Sequence, residues 1–183
     1  MTDDRGSDLT PTPPPADGKD WTWVLQRHCP ECGFDTAAVS ITELPGLIRS
    51  SAGHWAQVLR RPDVRVRPTA AIWSPLEYAA HVRDVYQVFA VRARLMLEEQ
   101  DPTFDNWDQD ATAIEKRYHD SDPARLTREL DDNADEAARV FGSVSAEQWN
   151  RTGYRSNGSV FTVDSLGRYF LHDVRHHLHD VGA

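Results

Sequence analysis

The sequence is poor in cysteine, in basic residues and in long apolar runs. Its 183 residues include two cysteines, too few for a disulfide framework, and this usage fits a reducing cytoplasm. Twenty Lys and Arg against 29 Asp and Glu give a net charge of −9, which argues against nucleic-acid binding because a phosphate backbone requires a basic surface. No segment approaches the roughly 20 apolar residues of a membrane span. We therefore expect a soluble cytoplasmic protein without nucleic-acid or membrane partners.

Residues 1–19 lack the basic start and apolar centre of a secretory signal. They are acidic and contain a Thr-Pro-Thr-Pro-Pro-Pro tract, a composition typical of a disordered lead with partial polyproline character. We expect this lead to contribute nothing to the folded core.

The next segment, residues 20–39, is rich in tryptophan and carries the motif CPECGF at 29–34. A single CxxC supplies half of a zinc site. The remaining ligands would have to come from His28, Asp35, His54 or another histidine. Three interpretations remain open: a structural turn, a zinc site, and a redox dithiol with a lowered thiol pKa.

Four amphipathic patterns predict long helices. The second opens with the clearest signals, because Ser74 is a good N-cap, Pro75 suits the first helical position, and Glu77 completes a capping box. The predicted helices span about 42–61, 75–99, 122–141 and 162–181, while 101–118 reads as a long irregular connection and 151–161 as a loop or small hairpin. Without convincing strands, we predict an all-α fold, an up-down four-helix bundle over residues 40–183 with a short irregular N-terminal extension.

Four of the eight histidines fall within the last helix, as His172, His176, His177 and His179. His172 and His176 are four residues apart, so their side chains lie one turn apart on one face. A bundle that brings His81 of the second helix to this pair supplies three neutral nitrogen donors. Three protein ligands leave coordination positions open, as in catalytic rather than structural metal sites.

Two motifs carry a family resemblance: WSPLEYAAH at 73–81 and LHDVRHH at 171–177. Together they resemble the DinB-like superfamily of bacterial metal-binding four-helix bundles, over roughly residues 42–181. The resemblance implies that His81, His172 and His176 are the metal ligands and that His177 turns away. The best understood members are transferases and isomerases that use mycothiol or bacillithiol, while the CxxC segment lies outside the usual family core.

These residues suggest an enzyme in which a divalent ion lowers the pKa of a bound thiol or water. Zinc is the expected ion, with nickel or iron as alternatives, and a low-molecular-weight thiol is a further expected cofactor. Asp84 and Asp180 lie one turn from His81 and His176, the right spacing to orient a ligand histidine. Tyr169 is a candidate for orienting substrate.

We thus predict a metal-dependent thiol transferase or a related hydrolase acting on a small molecule, with a homodimer as one option for its assembly. Two alternatives remain: a non-catalytic metal-binding or stress-response protein whose ion is structural, and a polar histidine core without metal.

Overall fold

Four long helices form the body of the protein. The computed structural model describes residues 20–183, and the predicted N-terminal lead lies outside them. The long helices and one short helix, α3, confirm the predicted all-α class. They are α1 (Leu44–Val58), α2 (Pro75–Glu98), α3 (Gln109–Glu115), α4 (Pro123–Gly142) and α5 (Val163–Asp180).

The helix starts follow from capping residues in the sequence. At α2, the Ser74 hydroxyl accepts a hydrogen bond from the Glu77 backbone N–H at 3.3 Å, and the Glu77 carboxylate accepts one from the Ser74 N–H at 2.9 Å. Asp122 caps α4 and Thr162 caps α5 with the same type of side-chain contact. These bonds satisfy N–H groups that a helix leaves without partners in its first turn, so each predicted start is confirmed.

The helices do not pack in chain order. α1 and α2 both contact α4 and α5 closely, whereas α1 and α2 have little contact with each other. At the centre, the ring of Phe170 stacks on Phe89 at 5.0 Å and meets Tyr86 edge-on at 5.6 Å. The consecutive helices α1 and α2 therefore lie diagonally across the bundle, and α5 contacts both.

A small three-stranded sheet closes one side. β1 (Thr103–Phe104) pairs parallel with β2 (Thr152–Arg155), and β2 pairs antiparallel with β3 (Val160–Thr162). The sheet confirms the hairpin option near 151–161. The expectation of an irregular connection over 101–118 was wrong, because this stretch contains β1 and α3. Both elements are too short to give a periodic pattern of apolar residues.

The N-terminal extension packs along α5. It consists of two short 3₁₀ helices, Trp21–Leu25 and Thr36–Ala38, joined by the cysteine turn. The Arg168 side chain of α5 donates to the Thr36 carbonyl at 2.7 Å. Within residues 20–183, none of the helices is both long and apolar enough to cross a membrane.

Candidate metal centre

Two clusters of metal-ligating side chains meet on α5. In each cluster the potential ligand atoms all lie within 4.8 Å of one another. The first cluster, the His81 cluster, contains His81, Asp173 and His177; the second, the Cys29 cluster, contains Cys29, Cys32, His172 and His176. The three residues predicted as one ligand set, His81, His172 and His176, are thus divided between two clusters.

His81 projects from α2 into an aromatic enclosure. Its side chain is 1% exposed, and its ring lies 5.2 Å from that of Trp107 at an angle of 3° and 5.3 Å from that of Trp73. Both ring nitrogens are buried without a hydrogen-bond partner among the described residues. Burial, with a smaller contribution from His177, lowers the His81 pKa well below its ordinary value, so the ring is neutral and available as a ligand.

Asp173 and His177 face His81 from the neighbouring helix. The Asp173 Oδ1 atom lies 3.9 Å from His81 Nε2 and 3.4 Å from His177 Nε2. This oxygen is buried without a hydrogen-bond partner in the described part of the chain, and burial raises the Asp173 pKa. A buried carboxylate oxygen without a donor is costly unless a cation compensates it. The donor set therefore fits a divalent metal ion.

Asp180 supports the His81 cluster through His177. Its Oδ2 atom lies 2.8 Å from His177 Nδ1, while its Oδ1 atom lies 3.7 Å from His176 Nε2. Burial is the largest single influence and would raise the Asp180 pKa, but the hydrogen bond from His177 and the charges of the neighbouring histidines together outweigh burial and lower it. The predicted carboxylate partner of a histidine is therefore present, although its closer contact is with His177 rather than His176.

Asp84, the other predicted carboxylate, is engaged elsewhere. It accepts hydrogen bonds from Arg83 Nε at 2.8 Å and from the Tyr118 hydroxyl at 2.6 Å, and neither ring nitrogen of His81 has a hydrogen-bond partner in residues 20–183. Asp84 thus anchors the segment before α4. Tyr169 is 8% exposed, with its ring against Phe161 at 5.4 Å.

A positive charge lies near the His81 cluster. Arg92 of α2 is 7% exposed, and its guanidinium donates to the Asp105 main-chain oxygen at 2.8 Å rather than to a carboxylate. Burial lowers its pKa to about 10, which leaves the group protonated near neutral pH. Its charge acts favourably on Asp173.

Sequence reasoning missed Asp173 and His177 as potential ligands of one site. They form a second pair four residues apart, one position after His172 and His176, and this repeat is the signal that was available. Because successive residues of a helix are separated by about 100°, the two pairs face different directions. Only the rotation of α5 against α2 decides which pair meets His81.

The Cys29 cluster differs in chemistry. Cys29 is fully buried, and its Sγ atom lies 3.7 Å from His176 Nδ1. Burial raises the pKa of Cys32 to about 11, opposite to the lowered thiol pKa of a redox dithiol.

Fold and site define a class: helical bundles with potential metal ligands projecting inward from facing helices. Residues 47–181 match the family model of the DinB superfamily, and the chain belongs to this superfamily. A comparison with curated proteins finds no match. Among solved structures the chain is similar to YfiT from Bacillus subtilis, described as a probable metal-dependent hydrolase with an unusual four-helix bundle topology. Its TM-score is 0.68 at 17% identity, over 78% of this chain and 86% of that one.

Proposed function

We propose that the protein is a divalent-metal-dependent enzyme whose ion is bound by His81, Asp173 and His177. The observation that carries this proposal is the convergence of three donor groups, two of which have buried atoms without hydrogen-bond partners among residues 20–183. The set predicted from sequence differs from this one, because His172 and His176 lie with the cysteines rather than with His81. The distances favour Asp173 and His177 as the partners of His81.

Two imidazoles and one carboxylate form a donor set found in catalytic zinc sites and in ferrous iron sites. We therefore propose zinc, with nickel and iron as the ions to test beside it. If bound by these three side chains, such an ion would have room for a thiol or water as a further ligand and would lower the pKa of that group.

The protein's own residues prepare this site. Asp180 accepts a hydrogen bond from His177 Nδ1 and so orients the ring with Nε2 on the side of Asp173. The rings of Trp73 and Trp107 cover His81 and limit access of water. Arg92 places a positive charge on the Asp173 side, which suits a substrate with an anionic group.

Two reactions are compatible with this site, and they differ in whether the nucleophile is a thiol or water. The DinB resemblance favours transfer to a low-molecular-weight thiol such as mycothiol or bacillithiol. The description of YfiT as a probable hydrolase favours water, although a likeness at 17% identity supports the fold rather than the reaction. We propose thiol transfer as the first activity and hydrolysis as the second.

The test incubates metal-loaded protein with small electrophiles, with and without a panel of bacterial thiols. Rate acceleration that requires a thiol, the metal and His81 supports the transferase, and acceleration without thiol supports the hydrolase. His81→Ala and Asp173→Ala should abolish either activity, whereas His54→Ala should retain it, because the His54 side chain is exposed on α1, with its Nδ1 atom 3.2 Å from the Ser50 main-chain oxygen of its own helix. Metal binding at His81 without turnover of any substrate would favour the non-catalytic alternative.

A further inference from the structure

We propose that Cys29, Cys32, His172 and His176 form a second, structural zinc site, separate from the His81 cluster and independent of the enzymatic proposal. Four neutral or thiolate donors in a Cys₂His₂ set with spacings C-x₂-C and H-x₃-H are typical of structural zinc. A complete protein ligand set leaves no position for substrate. The site would therefore fasten the N-terminal extension to α5.

The cysteine turn is already shaped for binding. The Gly33 N–H donates to the Cys29 carbonyl at 2.8 Å, and the Cys29 N–H donates to the Phe34 carbonyl at 2.9 Å. Gly33 has a φ of +71°, a backbone conformation that glycine adopts without a side-chain clash. The turn thus brings the two thiols together before any contact with α5.

The distances agree with tetrahedral coordination. With Zn–S of about 2.3 Å and Zn–N of about 2.0–2.1 Å, a tetrahedron separates sulfur and nitrogen ligands by about 3.6 Å. The observed separation of Cys29 Sγ and His176 Nδ1 is 3.7 Å. The other ligand atoms lie within 4.8 Å of one another, so small side-chain adjustments close the set around one ion.

The histidines are prepared for this role. His172 Nε2 is buried without a hydrogen-bond partner in the described chain. His176 turns Nδ1 to Cys29, and its opposite nitrogen, Nε2, lies 3.5 Å from a Glu31 carboxylate oxygen. A carboxylate at the far nitrogen is the usual support of a metal-bound histidine. Both rings pack near Trp21, at 6.0 and 4.9 Å, which shields the site from solvent.

The two sites take their α5 ligands from two adjacent pairs of residues, offset by one position. His172 and His176 face the extension, while Asp173 and His177, one position further along, face α2. The Cys29 cluster has four ligands and contains both thiols, whereas the His81 cluster has three and no sulfur. This difference in donor atoms allows one experiment to read the two sites separately.

The experiment uses full-length protein without an affinity tag, in which zinc is replaced by cobalt. Cobalt bound to thiolates gives a ligand-to-metal charge-transfer band that a site of nitrogen and oxygen donors lacks. We expect the wild type and His81→Ala to show this band. Cys29→Ser and His176→Ala should each lose the band in the cobalt-loaded protein and should each bind one equivalent of zinc less than the wild type. His119→Ala is the matched histidine control and should keep both, because His119 pairs with Asp120 at 3.4 Å and belongs to neither cluster.

Thiol reactivity provides a second measurement on the unaltered chain, in case the ligand variants fail to fold. In zinc-loaded protein both thiols should resist a thiol-specific chromogenic reagent, and a strong chelator should expose two thiols and release one zinc. A charge-transfer band absent from the cobalt-loaded wild type, or two thiols that react equally with and without zinc, would overturn the proposal. Recovery of a Cys29–Cys32 disulfide from freshly purified, zinc-supplemented protein would overturn it in favour of a redox dithiol.

Discussion

Replacing Asp180 with asparagine tests whether the His81 cluster binds metal as proposed. Asp180 Oδ2 lies 2.8 Å from His177 Nδ1, and its side chain is 24% exposed, so the charge is only partly screened by water. Asparagine keeps an oxygen that accepts the Nδ1 proton, and the ring orientation should persist. The negative charge that makes His177 a stronger donor is lost.

Loss of such a supporting carboxylate weakens metal affinity by about 10- to 100-fold, equivalent to about 1.4–2.8 kcal/mol. We expect Asp180→Asn to weaken metal affinity by an amount in this range. The affinity in question is that of the His81 cluster, which is identified as the binding that His81→Ala abolishes. The assay is competition with a chromophoric chelator at fixed pH, because proton competition also changes the apparent affinity.

Asp164→Asn is the matched control. Asp164 lies on the same helix and pairs with Arg168 at 2.8 Å, away from either cluster, so its removal should leave metal affinity within twofold of the wild type. If Asp180→Asn also stays within twofold, His177 does not bind the ion through Nε2 and the proposed ligand set is wrong.

Two further predictions concern stability. A Cβ atom at Gly167 would overlap Leu44 Cδ2 in the core, so Gly167→Ala should lower the free energy of unfolding by about 1–3 kcal/mol. Gly53 is the control, because a Cβ atom there would meet nothing within 4 Å in the described chain beyond its own helix, and Gly53→Ala should raise the free energy of unfolding by about 0.5–1 kcal/mol. Equal effects of the two substitutions in urea denaturation would contradict this packing. Burial would raise the Asp84 pKa, but hydrogen bonds, led by the one from Arg83, lower it. A lowered pKa in the folded state means that ionised Asp84 stabilises the fold. This contribution is complete above the ordinary Asp pKa of about 3.9 and is lost as the pH falls through the lower pKa of the folded state. Asp84→Asn should therefore flatten the acid side of the stability curve, and an unchanged slope in urea titrations at successive pH values would refute the assignment.

The long helices could be predicted because local signals define them. Ser74 with Glu77, Asp122 before Pro123, and Thr162 each mark a helix start within a few residues of sequence. The DinB resemblance rests on motifs inside these helices, and the family match confirms it. β1 escaped prediction because its two residues acquire strand structure only by pairing with β2, about 50 positions later.

The arrangement of the ligands could not be predicted, because it depends on long-range packing. Sequence identifies α5 as rich in donors but does not give its rotation, so the pair at 172 and 176 and the pair at 173 and 177 were equally able to face His81. The meeting of Cys29 with His176 joins positions 147 residues apart. The C-x₂-C spacing identified two ligands of a possible zinc site. It did not show which histidines would supply the other two.

The contact between the cysteine turn and α5 also orders events during biosynthesis. The turn is synthesised early among the described parts of the chain and α5 late, so their contact cannot form until α5 has left the ribosome. Contacts so distant in sequence carry a large loop-closure cost and form late in folding. Until then both thiols lack their partner imidazoles, and the newly made chain passes through a period in which its cysteines are open to oxidation or to the wrong metal.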